Sequence, residues 1–322
     1  MVLVSYPNLP PGVEVHQLLC GRDIASDIRG NQIHTMAYQM ANYVYLIVDT
    51  KSKKAVVVDG GGWDVDGIFS ICEKNGWAIT DALFTHRHFD HTGGKLPKMM
   101  TGGRDVTLPG VSEFVQKGVR VHIGEEDRAA VAKQSGLRLE ILMALREGSS
   151  VRLGDSDVFI NTLATPGHTP GSVCFQLNST NNTEGGVLFT GDTLFIGSCG
   201  RVDLPESDVN AMLASLARLS RLSPTTLVLP GHNYAAPAHS SIGQEKEINM
   251  MMQQAVARSD KSTGARISSE PVCALLPLPD YLGVARSVFH IYKQRDNNET
   301  NGNASAFDDC CRVKASQLES HF

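Results

Sequence analysis

The chain of 322 residues has no apolar run of the ~18–20 residues that a bilayer-spanning helix needs, so no membrane segment is expected. It also lacks an excess of positive charge. Its 29 Lys and Arg face 34 Asp and Glu, a net of −5 with His neutral. That balance argues against polyanion binding by bulk electrostatics. The opening residues, MVLVSYPNLPPG, contain no basic stretch followed by an apolar one, and no secretory signal is evident. The cysteines (Cys20, Cys72, Cys174, Cys199, Cys273, Cys310 and Cys311) are scattered, odd in number and never spaced C-x-x-C. This excludes a disulfide framework and makes a reducing compartment, the cytosol, the expectation. The N-x-[ST] matches at Asn178, Asn181, Asn298 and Asn303 then carry no weight. What the chain does have is 42% hydrophobic and 20% charged residues, ordinary for a folded soluble protein. At ~150 residues per domain its length allows one large domain or two small ones.

Hydrophobic patterning predicts strands and helices in alternation. Residues 42–49 (NYVYLIVD) and 54–59 (KAVVVD) read as a hairpin, and helical spacing follows at 65–74. Further strands are expected at 80–84, 119–123, 158–163, 173–177, 187–190 and 226–229. Helices are expected at 125–134, 208–219 and 244–257. Interleaving of this kind indicates an α/β or α+β fold of layered sheets. Residues 178–186 read as a loop, 281–293 as one more helix, and 296–306 as a disordered polar stretch, with residues 295–322 outside every motif. The expected organisation is a catalytic domain over 1–257 and a C-terminal extension over 258–322.

The sharpest feature is His86-Arg87-His88-Phe89-Asp90-His91, with four potential metal ligands in six residues just past a predicted strand end. Such crowding is costly through mutual repulsion of the charged forms unless a metal is bound. Imidazole and carboxylate together suit zinc, iron or manganese better than magnesium or calcium. His168 in T-P-G-H-T-P-G, Asp192 in F-T-G-D-T and His232 in L-P-G-H-N-Y also follow predicted strands. Each alone reads as a turn residue or cap. Together with the cluster they become candidate ligands delivered by loops at strand ends. His16, His34, His122, His239, His290 and His321 lack such company and read as structural or surface residues.

The motifs T-H-R-H-F-D-H-T-G-G at 85–94, P-G-H-T-P-G-S at 166–172, G-D-T-L-F at 191–195 and P-G-H-N-Y at 230–234 resemble those of the metallo-β-lactamase-fold hydrolase superfamily. The resemblance implies an αββα sandwich with two divalent metal ions, most readily zinc, at one sheet edge. It implies one ion held by His86, His88 and His168, the other by Asp90, His91 and His232, with Asp192 between them. Asp90 and Asp192 thereby stand at the catalytic centre. The implied reaction is hydrolysis by a metal-bridging hydroxide, since two ions ~3.5–4 Å apart lower the pKa of a shared water toward ~7.

The glyoxalase II (hydroxyacylglutathione hydrolase) branch looks nearest. Cys199-Gly200-Arg201 resembles that branch's C-G-K/R element, which implies that Arg201 meets a glutathione carboxylate, and Tyr234 matches a tyrosine on the glutathione backbone. The implied substrate is a small-molecule thioester such as an acylglutathione. Asp203 stands where long members have an aromatic. The C-G-R-x-D spelling is also similar to that of persulfide dioxygenases, which would place one iron on His86, His168 and Asp192. A lactonase, β-lactamase or phosphodiesterase of the fold is a further alternative. RNA-processing nucleases are disfavoured by the acidic balance.

Overall fold

Residues 43–49 are hydrophobic on both strand faces, which requires cover on both sides. The computed structural model, describing residues 2–3, 9–99, 101–178 and 185–262, supplies it. A seven-stranded sheet runs in the order β1 (Val2–Leu3), β2 (Val13–Leu19), β3 (Tyr43–Asp49), β4 (Lys54–Val58), β5 (Ala78–Phe84), β6 (Arg120–Gly124) and β7 (Met143–Leu145). A six-stranded sheet follows: β8 (Ser150–Arg152), β9 (Phe159–Ala164), β10 (Val173–Leu177), β11 (Val187–Gly191), β12 (Leu227–Pro230) and β13 (Ser240–Ser241). Pairing is antiparallel from β1 to β4 and parallel from β4 to β7, and β11 pairs parallel with β12.

Three apolar layers follow from the period-2 alternation. Tyr43, Tyr45 and Ile47 meet Ile160, Phe175 and Phe189 between the sheets. Val44, Leu46 and Val48 turn the other way, toward Ile68 and Cys72 of helix Val65–Lys74 and Val131 of helix Glu125–Ser135. Cys174, Leu188 and Val228 on the far face of the second sheet pack on Met212 and Leu216 of helix Val209–Leu219 and Met252 of helix Met250–Ser262. The order is helix, sheet, sheet, helix.

Several elements depart from the sequence reading. The helix expected over 244–257 is two helices, Ile242–Ile248 and Met250–Ser262, divided at Asn249. Asn249 turns extended (ψ 103). Its buried amide donates to the carbonyls of Phe195 (3.3 Å) and Ser198 (2.8 Å) and to Glu245 Oε2 (2.8 Å), while its oxygen caps Met252 N (3.1 Å). These non-local bonds override local helical preference. Strand β2 and helix Gln32–Met40 were not anticipated. The helix buries only Ala37, and the strand buries His16 and Gln17, which blurs its alternation.

Among the described residues no helix is long and apolar enough to cross a membrane. The chain divides into two units, Met1–Ala265 and Arg266–Phe322. The second unit lies outside the described residues, as do the helix expected at 281–293, the stretch 296–306 and most of the loop expected at 178–186.

Candidate metal centre

Strand β5 ends at Phe84, the chain bends at Thr85 and His86, and His88 is extended (φ −65, ψ 147) before the short helix Phe89–Thr92. The change from extended to helical backbone lets alternate and adjacent side chains converge. His168 comes from the turn between β9 and β10, Asp192 from the end of β11 and His232 from the end of β12. All seven candidate ligands named from sequence come together here.

They form two groups. His88 Nδ1 lies 3.1 Å from His86 Nε2 and 2.9 Å from His168 Nε2. In the other group, Nε2 of His91 and Nε2 of His232 are 3.2 Å apart, each 3.3 Å from Asp90 Oδ2. Asp192 divides its carboxylate between them. Its Oδ2 is 3.5 Å from His168 Nε2, and its Oδ1 is 3.4 Å from Nε2 of both His91 and His232.

Outer partners aim these rings. Thr85 Oγ1 donates to Asp59 Oδ2 (2.7 Å) and lies 3.1 Å from His86 Nδ1, while Asp59 Oδ2 is 3.1 Å from His91 Nδ1. The carbonyls of Arg201 and Met40 each accept from Nδ1, of His168 and His232 respectively, at 2.8 Å. Buried Asn42 donates to Asp90 Oδ2 (3.0 Å), its orientation fixed because its own oxygen accepts from Trp63 Nε1 (2.9 Å). Buried Asp127 accepts from Arg87 N (3.0 Å) and Thr169 Oγ1 (2.6 Å), bracing the loops of His86 and His168 together. Two glycines are obligatory for space. Gly62, at φ +93, would place a Cβ 2.5 Å from the Asp90 carbonyl, and a Cβ on Gly231 would sit 2.7 Å from Asp192 Oδ1.

The electrostatics divide along the same line. Burial, reinforced by the neighbouring imidazoles, holds His86 well below the usual histidine range, and burial lowers His168. Burial opposes charge on His91 and His232 too, but carboxylates prevail there. Asp90, Asp59 and Asp192 raise His91 well above its usual value, and Asp192 and Asp90 raise His232 to about 9. Those imidazoles in turn hold Asp90 and Asp192 well below the carboxylate range despite burial.

The donor set fits divalent cations. Asp192 Oδ1 is buried without a well-formed hydrogen bond, and three triads (His86–His88–His168, His86–His91–Asp192 and Asp90–His91–His232) each gather their ligand atoms within 4.8 Å. A buried carboxylate facing only ring nitrogens at 3.4 Å is a poor hydrogen-bond arrangement and a suitable ligand cage.

The remaining sequence candidates sit at the rim. Tyr234 stacks on the His232 ring (centroids 4.6 Å, planes 12° apart), and Phe195 packs edge-on against Tyr234 at 5.4 Å. Arg201 makes a bidentate pair with Asp203, both bonds 2.9 Å, and is 55% exposed. Its carbonyl, not its guanidinium, touches the His168 ring. Burial pushes the Cys199 thiol up to about 12, which removes it as a nucleophile. His16 and His122 pair with Glu14 and Asp81, away from the cluster. Sequence reading passed over Asp59, Asn42, Thr85 and Asp127. Asp59 carried a usable signal, since it too ends a predicted strand and precedes glycine. The others carried none.

Comparison with known proteins agrees with this geometry. The family model described as the metallo-beta-lactamase superfamily matches residues 38–95 and 120–232, just over half of the chain and all seven clustered residues. A hydroxyacylglutathione hydrolase of Chromohalobacter salexigens is 33% identical over 199 residues, 60% of this chain and 62% of that one. The same enzyme of Rhodospirillum rubrum is 32% identical over 213 residues, 64% of this chain and 67% of that one. The match thus spans about two thirds of these relatives' own length. Two solved structures share the fold. A metallo-beta-lactamase from Staphylococcus aureus has a TM-score of 0.56 at 21% identity, covering 79% of this chain and 68% of that one. ETHE1 from Myxococcus xanthus has a TM-score of 0.51 at 24% identity, covering 71% and 88%. With two sheets between helical layers, four ligand loops on one edge and a family match through all of them, the chain belongs to the metallo-beta-lactamase superfamily.

Proposed function

We propose that this protein is a metal-dependent hydrolase that cleaves a thioester of the acylglutathione class in the cytosol. The observation that carries the reading is Asp192, whose two oxygens face two separate ligand groups, the arrangement a pair of ions requires. His86, His88 and His168 would hold one ion, and Asp90, His91 and His232 the other, with Asp192 shared. Zinc suits this imidazole and carboxylate set best, with iron and manganese also compatible. When bound, such a pair supplies an activated water and polarises the substrate carbonyl.

The chain's own groups do the rest. Buried Asp90, aimed by Asn42 and Trp63, keeps its charge inside the protein. Tyr234 and Phe195 form an aromatic wall beside His232 against which the substrate lies. Arg201 at the rim would meet the carboxylate of the thiol carrier in exchange for Asp203. The thioester assignment is supported by the two curated relatives named hydroxyacylglutathione hydrolase.

The test combines metal analysis with assay. Purified protein should carry about two equivalents of divalent metal per chain and release thiol from an acylglutathione, with both lost on chelation. One equivalent of iron with oxygen uptake on glutathione persulfide would establish the dioxygenase instead. Cleavage of a lactone, β-lactam or phosphodiester without thioester cleavage would move the chain to another hydrolase class.

A further inference from the structure

Each of the five clustered histidines turns one ring nitrogen inward and rests the other on a partner. For four of them the partner is buried or backbone: Thr85 for His86, Asp59 for His91, the Arg201 carbonyl for His168 and the Met40 carbonyl for His232. His88 differs. It presents Nδ1 to the cluster, and its outward Nε2 lies 3.1 Å from Oε1 of Glu206, a loop side chain 24% exposed. The His88 ring is itself 21% exposed, whereas the side chains of His91, His168 and His232 are at most 4% exposed. Core packing therefore fixes its tilt and tautomer less firmly than those of the other rings.

Glu206 can fix both. A carboxylate accepting from Nε2–H leaves the lone pair on Nδ1, the atom facing His86 and His168. Without that acceptor the ring is free to carry its proton on Nδ1, where it would oppose a cation. Glu206 is held in turn by Arg87, whose guanidinium lies 3.3 Å from the same Oε1 and 3.9 Å from Asp127. Outer carboxylates that orient ligating imidazoles typically set metal affinity by 10–100-fold.

We propose that Glu206 is the positioning residue for His88 and sets the ion affinity of the His86–His88–His168 group alone. This rests on the two-ion reading above. Among the described residues no hydrogen bond or ion pair joins Glu206 to the Asp90–His91–His232 group, whose rings are held by Asp59 and Met40, so its direct influence is one-sided.

The test is zinc affinity by chelator competition in full-length protein. His232→Ala leaves only the first group complete, and His168→Ala leaves only the second. In the His232→Ala background, Glu206→Ala should weaken zinc binding roughly 10–100-fold. Glu206→Gln, whose amide oxygen still accepts from Nε2–H, should weaken it less. In the His168→Ala background neither substitution should change affinity. The melting temperature of the chelator-stripped protein should fall only slightly with Glu206→Ala, and equally in both backgrounds, because only partly exposed contacts to His88 and Arg87 are lost. Equal weakening in both backgrounds, no weakening in the first, or an apo melting temperature lowered enough to show general unfolding would overturn the proposal. An unsubstituted protein that takes up two equivalents places any such failure on Glu206. One that binds no zinc overturns the two-ion reading and this proposal together.

Discussion

Nε2 of His91 and Nε2 of His232 stand 3.2 Å apart in the protein interior, and both face Asp90 and Asp192. Two nitrogens at that distance cannot both direct protons at each other without strain, yet the two carboxylates favour the charged forms. The chain has thus gathered negative charge around a point that protons fill badly and a divalent cation fills well. The other group, His86 with His168, is pushed toward neutrality by burial. Its lone pairs are ready for a ligand without proton release.

That asymmetry sets the pH dependence of the chelator-stripped protein. His91 and His232 have folded pKa values above the unfolded ~6.5, so their contribution is complete below that pH and is lost as pH rises toward about 9 for His232. His86 and His168 are shifted down, so their contribution is present above ~6.5 and is lost as pH falls. Apo-protein stability should therefore peak near pH ~6.5 and decline on both sides. Metal-loaded protein should lose the alkaline decline, because ligation holds the imidazoles deprotonated at higher pH as well. Thermal melts with and without chelator across this range check it. A stripped protein that gains stability steadily toward pH ~9 would contradict the assignment.

Asp192→Asn should damage both groups at once. Losing an outer partner of a ligand costs ~10–100-fold, and a group facing both clusters should cost more than ~100-fold in turnover. Metal content should fall, with far-ultraviolet circular dichroism unchanged, because Asp192 lies at a strand end and packs no core. His168→Ala should behave alike but spare the Asp90–His91–His232 group. Full turnover in a metal-depleted Asp192→Asn protein would sink the metallohydrolase reading.

The seven clustered residues were legible in the sequence because each follows a predicted strand and four of them crowd into one stretch. Their grouping around Asp192 was implied by the family resemblance and not by the spacing itself. Asp59 obeys the same strand-end logic but has no second donor beside it. Asn42 was legible only as the start of a strand, since its partners Trp63 and Asp90 lie 21 and 48 residues away. The hairpin over 42–59 and helix Val65–Lys74 were visible because their apolar periodicity is local. The division at Asn249 was not, because it depends on carbonyls of Phe195 and Ser198, more than fifty residues earlier.

Asn249→Ala tests that division. The substitution removes the cap on Met252 N and one donor each from the carbonyls of Phe195 and Ser198 and from Glu245 Oε2, which keep the N–H groups of Ser198, Phe195 and Gly197 respectively. A lost hydrogen bond costs ~0.5–1.5 kcal/mol net and a lost helix cap about 1 kcal/mol, so a loss of about 2 kcal/mol is expected in denaturant titration. The loop 195–198 follows directly on Asp192, and turnover should fall along with stability. An unchanged unfolding midpoint would mean that the helix break is imposed from elsewhere.

Arg201 separates substrate classes. Its guanidinium is bound on both arms by Asp203, so a substrate carboxylate must displace a partner already in place. Charge-assisted contacts contribute ~1.5–3 kcal/mol when shielded and less at this exposure. Arg201→Ala should therefore raise KM for an acylglutathione about fivefold to tenfold, at ~1.4 kcal/mol per tenfold. It should leave kcat nearly intact, because the contact is remote from the scissile bond. Asp203→Asn should act oppositely, weakening its hold on the guanidinium and lowering KM for the same substrate. A neutral ester should respond to neither change. Equal losses on thioester and ester would show that the pair supports the loop behind His168, whose ring rests on the Arg201 carbonyl. The acylglutathione assignment would then stand on the relatives alone.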